Sequence, residues 1–260
     1  GDPFSEKEVT DAIDQLPKDK APGPDGFSVA FFKACWVTIK GDVMAVINNF
    51  SDLRAEHFHW VNSATIVLLP KKEGAEWISD FRPISLIHAI TKIVAKMMAS
   101  RLAPFMHQLV SRFQSTFIKT QSIHDNFLYI RNLACMLHRL KKPSLLFKLE
   151  IKKAFDSVRW DYLLDLLCRR GFLMRFRDMI AALLRTSTSR VSLNGVLGDP
   201  IQHHIGIRQG DPLSPLLFVI AMDTLESLFK TACRYRVFAN IGRINMLFRV
   251  LIYADDVIAV

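Results

Sequence analysis

Cysteine is scarce in this sequence. Cys35, Cys135, Cys168 and Cys233 are far apart and form no C-x-x-C pair. That spacing argues against a disulfide framework or a zinc module and reads as core thiols in a reducing compartment. His57, His59 and the tandem His203-His204 lack Cys or carboxylate partners at ligand spacing, so they read as surface or core histidines. No apolar run is long enough to span a bilayer, and no signal peptide opens the chain. Internal repeats and low-complexity tracts are absent, and with half the residues apolar a disordered chain is not expected. Acidic residues are in the minority, 25 against 34 Lys plus Arg. The resulting net charge of +9 favours a polyanionic partner, most simply nucleic acid. The first residue is Gly and the last four, Val257 to Val260, read as part of a strand. Both ends are therefore expected to be cuts in a longer polypeptide.

A chain of 260 residues buries a sizeable core. Ser5-x-x-Glu8 is a capping box, followed at helical spacing by Val9, Ala12, Ile13 and Leu16. PKDKAPGPDG (17–26) is a Pro/Gly loop. The pattern predicts helices over about Ser28–Asn49, Ala89–Leu102 and Ile123–Leu140. It predicts two more around Trp160–Leu167 and Phe176–Leu184, and one from Pro212 and Pro215 to about Lys230. Ala64–Leu69 and Leu145–Ile151 read as strands, and Asn194-Gly195 as a hairpin turn between RVSL and VLGDPI. Helices outnumber strands, which indicates an α+β fold with a small antiparallel sheet backed by helices.

The most informative stretch is RVLIYADDVIAV, where Asp255 and Asp256 lie between two short apolar runs. The runs read as buried strands and the polar pair as the turn joining them. Two like charges at a hairpin tip repel unless a cation or an apposed basic group sits there. Taken alone, the doublet is also what a solvated polar turn looks like.

Other blocks remove that ambiguity. FRPISL from Phe81, LLFKLEIKKAFDSV from Leu145, GIRQGDPLSPLLF from Gly206 and YADD from Tyr253 occur in order. In this order they resemble the reverse transcriptases of non-LTR (LINE-type) retrotransposons, most closely the plant forms. KAPGPDGF (20–27), FIKTQSIHDNF (117–127) and the LNG turn at Leu193–Gly195 resemble that family too, so the likeness covers nearly all of the chain. It implies a right-hand polymerase fold, with about 1–143 mainly fingers and about 144–260 mainly palm, and with thumb and endonuclease outside the chain. It also implies RNA-directed DNA synthesis on an RNA template and a DNA primer with deoxynucleoside triphosphates. The cofactor implied is two magnesium ions, or manganese in their place. The location implied is the nucleus and cytoplasm, within the ribonucleoprotein of a mobile element. No membrane is implied, and the oligomeric state is left open.

The resemblance assigns residues one at a time. Asp255 matches the metal-binding aspartate of the palm hairpin, and Asp256 its acidic neighbour. Glu150, ending the strand LLFKLEI, stands where the family has aspartate. Its extra methylene moves the carboxylate outward by about a bond length, and a shift near 1 Å costs on the order of a hundredfold in rate. Reduced activity is therefore expected, although metals or backbone could adjust. Thr120-Gln121 replaces a usual Gly-Arg, a second departure that would weaken a nucleic-acid contact. Phe155 matches the aromatic that excludes a ribose 2′-OH, although its spacing alone suits a core Phe at a strand–helix junction. Asp156 reads as an N-cap. Gln209 and Gly210 match the block near template and nascent base pair. Arg82, with Lys71 or Lys72, matches the triphosphate grip, against the alternative of ordinary surface charge. Lys92, Lys96 and Arg101 would line the duplex groove, and a solvated helix face explains them equally well. Two rivals stand beside this reading. One is a catalytically dead nucleic-acid-binding remnant. The other, ranked lower, is an RNA-dependent RNA polymerase.

Overall fold

The structure is a computed structural model, which describes residues 2–54, 57–111, 114, 122–141, 145–237, 250–253 and 256–259. The chain begins with α1 (Glu6–Gln15), α2 (Val29–Ala34), α3 (Trp36–Ser51) and α4 (Phe58–Val61). β1 (Ser63–Pro70), β2 (Phe81–Ile87), α5 (Ala89–Leu102), α6 (Met106–Leu109), α7 (Ile123–Arg139) and β3 (Phe147–Glu150) follow. Then come α8 (Trp160–Arg169), α9 (Met174–Arg185), β4 (Thr188–Leu193), β5 (Val196–Leu197) and β6 (Ile201–Gln202). α10 (Ser214–Arg234), β7 (Val250–Tyr253) and β8 (Asp256–Ala259) complete the order.

These elements form two compact units that interleave along the chain. One holds Gly1–Arg101 and Phe155–Ser214, the other Leu102–Ala154 and Pro215–Val260. The fold is α+β, as the pattern of elements suggested.

The first unit is built on a mixed sheet in the order β2-β1-β4-β5, with β6 also paired to β4. β1 and β2 are antiparallel over the full length from Ala64↔Ile87 to Pro70↔Phe81. FRPISL is thus the return strand of a hairpin. β1 also pairs with β4 in parallel, Ser63↔Thr188 to Ile66↔Val191, a long-range contact that local periodicity does not encode. Ile47 and Phe50 of α3, Ile93, Met97 and Met98 of α5, Leu163 and Leu167 of α8, and Ile180 of α9 in this unit are all essentially fully buried. The capping box forms as expected. The Glu8 carboxylate accepts from the Ser5 N–H at 2.9 Å, and Ser5 Oγ accepts from the Glu8 N–H at 3.3 Å. Leu193↔Val196 closes the hairpin over Asn194 and Gly195, which take φ of 51° and 81° as a type I′ turn requires.

Three local expectations need correction. The single helix foreseen over Ser28–Asn49 is divided at Cys35, whose ψ of 7° leaves the helical range; no proline or glycine marks the break. VLGDPI yields two two-residue strands, because Gly198-Asp199-Pro200 interrupts the ladder. Asp156 is not the N-cap of α8. It lies inside the single 3-10 turn Phe155–Ser157, and Arg159 holds the cap position.

The second unit carries the antiparallel sheet β3-β8-β7. Ile252, Val257 and Ala259 are buried on one face, with Ile151 and the α10 residues Met222, Leu225 and Phe229 packed against them. A parallel bridge joins Gln114 to Ile252, and Asp223 of α10 accepts from the Ser111 N–H at 2.7 Å. β3 is an edge strand and shorter than Leu145–Ile151. Among the described residues it pairs on one side only, and its residues are exposed along its length.

Candidate active site

Register decides how the carboxylates meet. β8 runs antiparallel to β3 with Glu150 directly opposite Asp256, and antiparallel to β7 with Tyr253 opposite the same Asp256. Side chains directly opposite one another share a face, with Cβ atoms about 4.5–5.5 Å apart. Val257 and Ala259 point into the α10 core, so alternation turns Asp256 to the other face, and Glu150 with it. Two like charges so placed repel. A compensating charge is present: Lys148, two residues before Glu150, brings Nζ to 3.1 Å from Asp256 Oδ1.

Glu150 and Asp256 offer hard oxygen donors on an exposed face where a cationic head group already stands. That donor set fits a divalent ion of the magnesium type. Asp255, the third acidic position, lies outside the described residues, as do Thr120 and Gln121. Among the described residues no three His, Cys, Asp or Glu side chains form a metal-binding group.

Gln209 and Gly210 belong to the first unit. Both are exposed, and Gly210 has φ of 96°, a backbone state that a side chain would strain. They are flanked by two inward charges, Arg208 and Asp211, whose side chains are 6% and 9% exposed and 3.9 Å apart. Burial raises the Asp211 carboxyl above its usual range, while the Arg208 charge and the N–H groups of Leu213 and Ser214 pull it back. Burial lowers the Arg208 guanidinium, and Asp211 opposes that shift. Arg208 donates to the Asn62 carbonyl at 3.0 Å and to Asn62 Oδ1. Asn62 is fully buried, and its Nδ2 donates to Leu183 O and Thr186 Oγ1, each at 2.7 Å. The exposed dipeptide is therefore tied through Arg208 to the start of β1 and the end of α9.

Phe155 is half-buried beside the same block. Its carbonyl accepts from the Ile207 N–H at 2.9 Å, the Val158 carbonyl from the Gly206 N–H at 2.8 Å, and the Gly206 carbonyl from Trp160 Nε1 at 2.7 Å. Sequence neighbours of Gln209 and the Phe155 turn are thus stitched together.

The basic candidates divide by how fully they are engaged. Arg82 is exposed on β2 opposite Leu69, and its side chain makes no hydrogen bond or ion pair among the described residues. Lys71 donates to the Ser79 carbonyl at 2.7 Å, and Lys72 pairs with Asp80 at 3.0 Å. The Lys72 contact holds the Asp80 carboxyl below its usual range. Lys92 is half-buried, which lowers its pKa, and reaches the Ala21 carbonyl at 3.4 Å. Arg101 is the most committed. It donates to Glu8 at 2.6 and 2.9 Å and to the carbonyls of Asp2 and Pro3 at 2.8 and 3.0 Å. It also lies 4.0 Å from the Phe4 ring centroid. The structure thus gives Arg101 the job of holding the N-terminal segment, and a phosphate would have to compete with Glu8 for it.

Comparison with known proteins decides the family. The family model described as reverse transcriptase (RNA-dependent DNA polymerase) matches residues 69–260. This chain belongs to the reverse transcriptase family. It is 30% identical over 258 residues, 99% of its length, to a "Transposon TX1 uncharacterized 149 kDa protein" of Xenopus laevis. It is 29% identical over 223 residues, 86% of its length, to a "Retrovirus-related Pol polyprotein from type-1 retrotransposable element R2" of Nasonia vitripennis. The chain spans 19% and 21% of the lengths of those two relatives. Both relatives are animal proteins, named for a transposon and a retrotransposable element. An apo telomerase structure from Candida tropicalis, truncated from its C-terminal domain, aligns with a TM-score of 0.50 at 15% identity. The alignment covers 82% of this chain and 47% of that one, and shows a right-hand polymerase fold.

Sequence reasoning passed over Lys148, Asn62, Arg208 and Asp211. Arg208 and Asp211 stand inside a quoted block, and their charges flanking an exposed Gln-Gly were a usable signal. Asn62 had none, because its importance comes from partners more than 120 residues away.

Proposed function

We propose that this chain is the fingers and palm of an RNA-directed DNA polymerase of a non-LTR retrotransposon, extending a primer 3′ end on an RNA template by two-metal nucleotidyl transfer. The register that sets Glu150 opposite Asp256 carries this reading, with Asp255 as the third acidic group. Glu150, Asp255 and Asp256 would hold two magnesium ions, or manganese. When bound, these ions supply activation of the primer hydroxyl and charge neutralisation on the departing pyrophosphate. Arg82 and Lys71 would grip the triphosphate. Gln209 and Gly210 would lie against the nascent pair, and Phe155 would exclude the ribose 2′-OH. Lys72 and Lys92 would serve the nucleic-acid backbone. By sequence, fingers occupy about 1–143 and palm about 144–260. The affinity to plant elements rests on the spelling of the sequence blocks. Residence in nucleus and cytoplasm as a ribonucleoprotein follows from the assigned role.

The Glu150 side chain places its carboxylate about one bond farther from the strand than aspartate would. We therefore expect activity on the order of a hundredfold below the Glu150→Asp form. Primer extension on an RNA template with magnesium compares the two, with Asp256→Asn as control. Rescue by aspartate supports the reading, and equal activity in both forms refutes the role given to Glu150. Absence of extension in both, with primer–template binding retained, favours the rival the same residue suggests, a nucleic-acid-binding remnant. Preferential ribonucleotide incorporation would point to an RNA-dependent RNA polymerase.

A further inference from the structure

The sheet face bearing Glu150 and Asp256 bears one more charge. Register pairs Lys148 with Ile258, yet its side chain leans along the strand to place Nζ 3.1 Å from Asp256 Oδ1. Lys148 and Glu150 are two apart on one strand and so share a face, while Asp256 sits opposite Glu150. An ammonium therefore stands at a like-charged cross-strand pair that would otherwise repel. The ammonium is a compact charge on a flexible stem. Lys148 is 64% exposed, so the head group can swing into water with little loss of packing.

We propose that Lys148 is the resident counter-charge of the Glu150–Asp256 pair, and that a divalent cation binds there by displacing its ammonium. This rests on the metal reading above. Lys148 is a positioning residue. It holds edge strand β3 in register with β8 while the metal is absent, and it sets the concentration of cation needed to take its place. A salt bridge this exposed contributes modestly, which bounds the competition at about two- to fivefold in metal affinity.

The test is Mn²⁺ titration followed by electron paramagnetic resonance, with thermal melting, on the whole chain. Lys148→Met and Lys148→Gln should bind Mn²⁺ about two- to fivefold more tightly than the unaltered chain. Both should melt lower without metal and gain more from added Mn²⁺. Lys148→Arg, which keeps the charge, should stay within about twofold of the unaltered chain. Affinity and metal-free melting unchanged in both neutral variants, while Asp256→Asn abolishes binding, would overturn the role of Lys148 and leave the metal reading standing. No saturable Mn²⁺ binding in any form would overturn both.

Discussion

Replacing Asn62 by alanine removes the residue through which the Gln209-Gly210 loop is anchored. Asn62 Oδ1 accepts from the buried guanidinium of Arg208, and its Nδ2 donates to Leu183 O and Thr186 Oγ1. After the change Arg208 keeps the residue-62 backbone carbonyl at 3.0 Å and Asp211 at 3.9 Å. Loss of an acceptor from a buried charge costs about 1.5–3 kcal/mol, and the stranded Leu183 carbonyl about 1 kcal/mol more. Thr186 Oγ1 still donates to the Ala182 carbonyl at 2.7 Å and adds little. The sum, about 2.5–4 kcal/mol, corresponds to a fall of roughly 5–16 °C in Tm for a chain of this size. Urea and thermal unfolding followed by tryptophan fluorescence would measure it, with the exposed α3 residue Asn49→Ala as control. The cost should shrink by at least about 1 kcal/mol when Arg208→Met is already present, because no buried charge is then left underpaired. A loss below about 1 kcal/mol, or strict additivity with Arg208→Met, would refute the view that Asn62 anchors the charge.

Two further outcomes follow from the first unit. Gly206 has φ of 82°, and an added Cβ would lie 2.8 Å from the Asp156 carbonyl oxygen, so Gly206→Ala should destabilise the chain by about 1–3 kcal/mol in urea unfolding. The Arg101 guanidinium beside Glu8 holds that carboxyl at about 2, down from 4.5. A depressed folded value means the contribution is complete above about pH 4.5 and is lost as pH falls toward 2. The Tm advantage over Glu8→Gln should therefore vanish across that window and be unchanged from pH 6 to 8. The advantage stays modest, because the pair is only partly buried and solvent still screens it.

Sequence alone was enough for the α+β class, the helical spans of α5, α8 and α9, the capping box of α1 and the Asn194-Gly195 hairpin. Each is written in residues a few positions apart, where capping hydroxyls, φ-permissive turn residues and apolar spacing act directly on the local backbone. The doublet Asp255-Asp256 and the block containing Glu150 were legible for the same reason, as short strings of fixed chemical type. Tertiary structure decided what those strings face. The antiparallel register sets Glu150 across from Asp256 and brings Lys148 to that pair. The parallel pairing of β1 with β4 joins segments more than 100 residues apart. Arg101 clamps the N-terminal segment through Glu8, Asp2 and Pro3, and Asn62 turned from an unremarked residue into an anchor. Such outcomes depend on which distant backbone groups and charges burial brings within about 3 Å, and no local pattern of residue types records that distance.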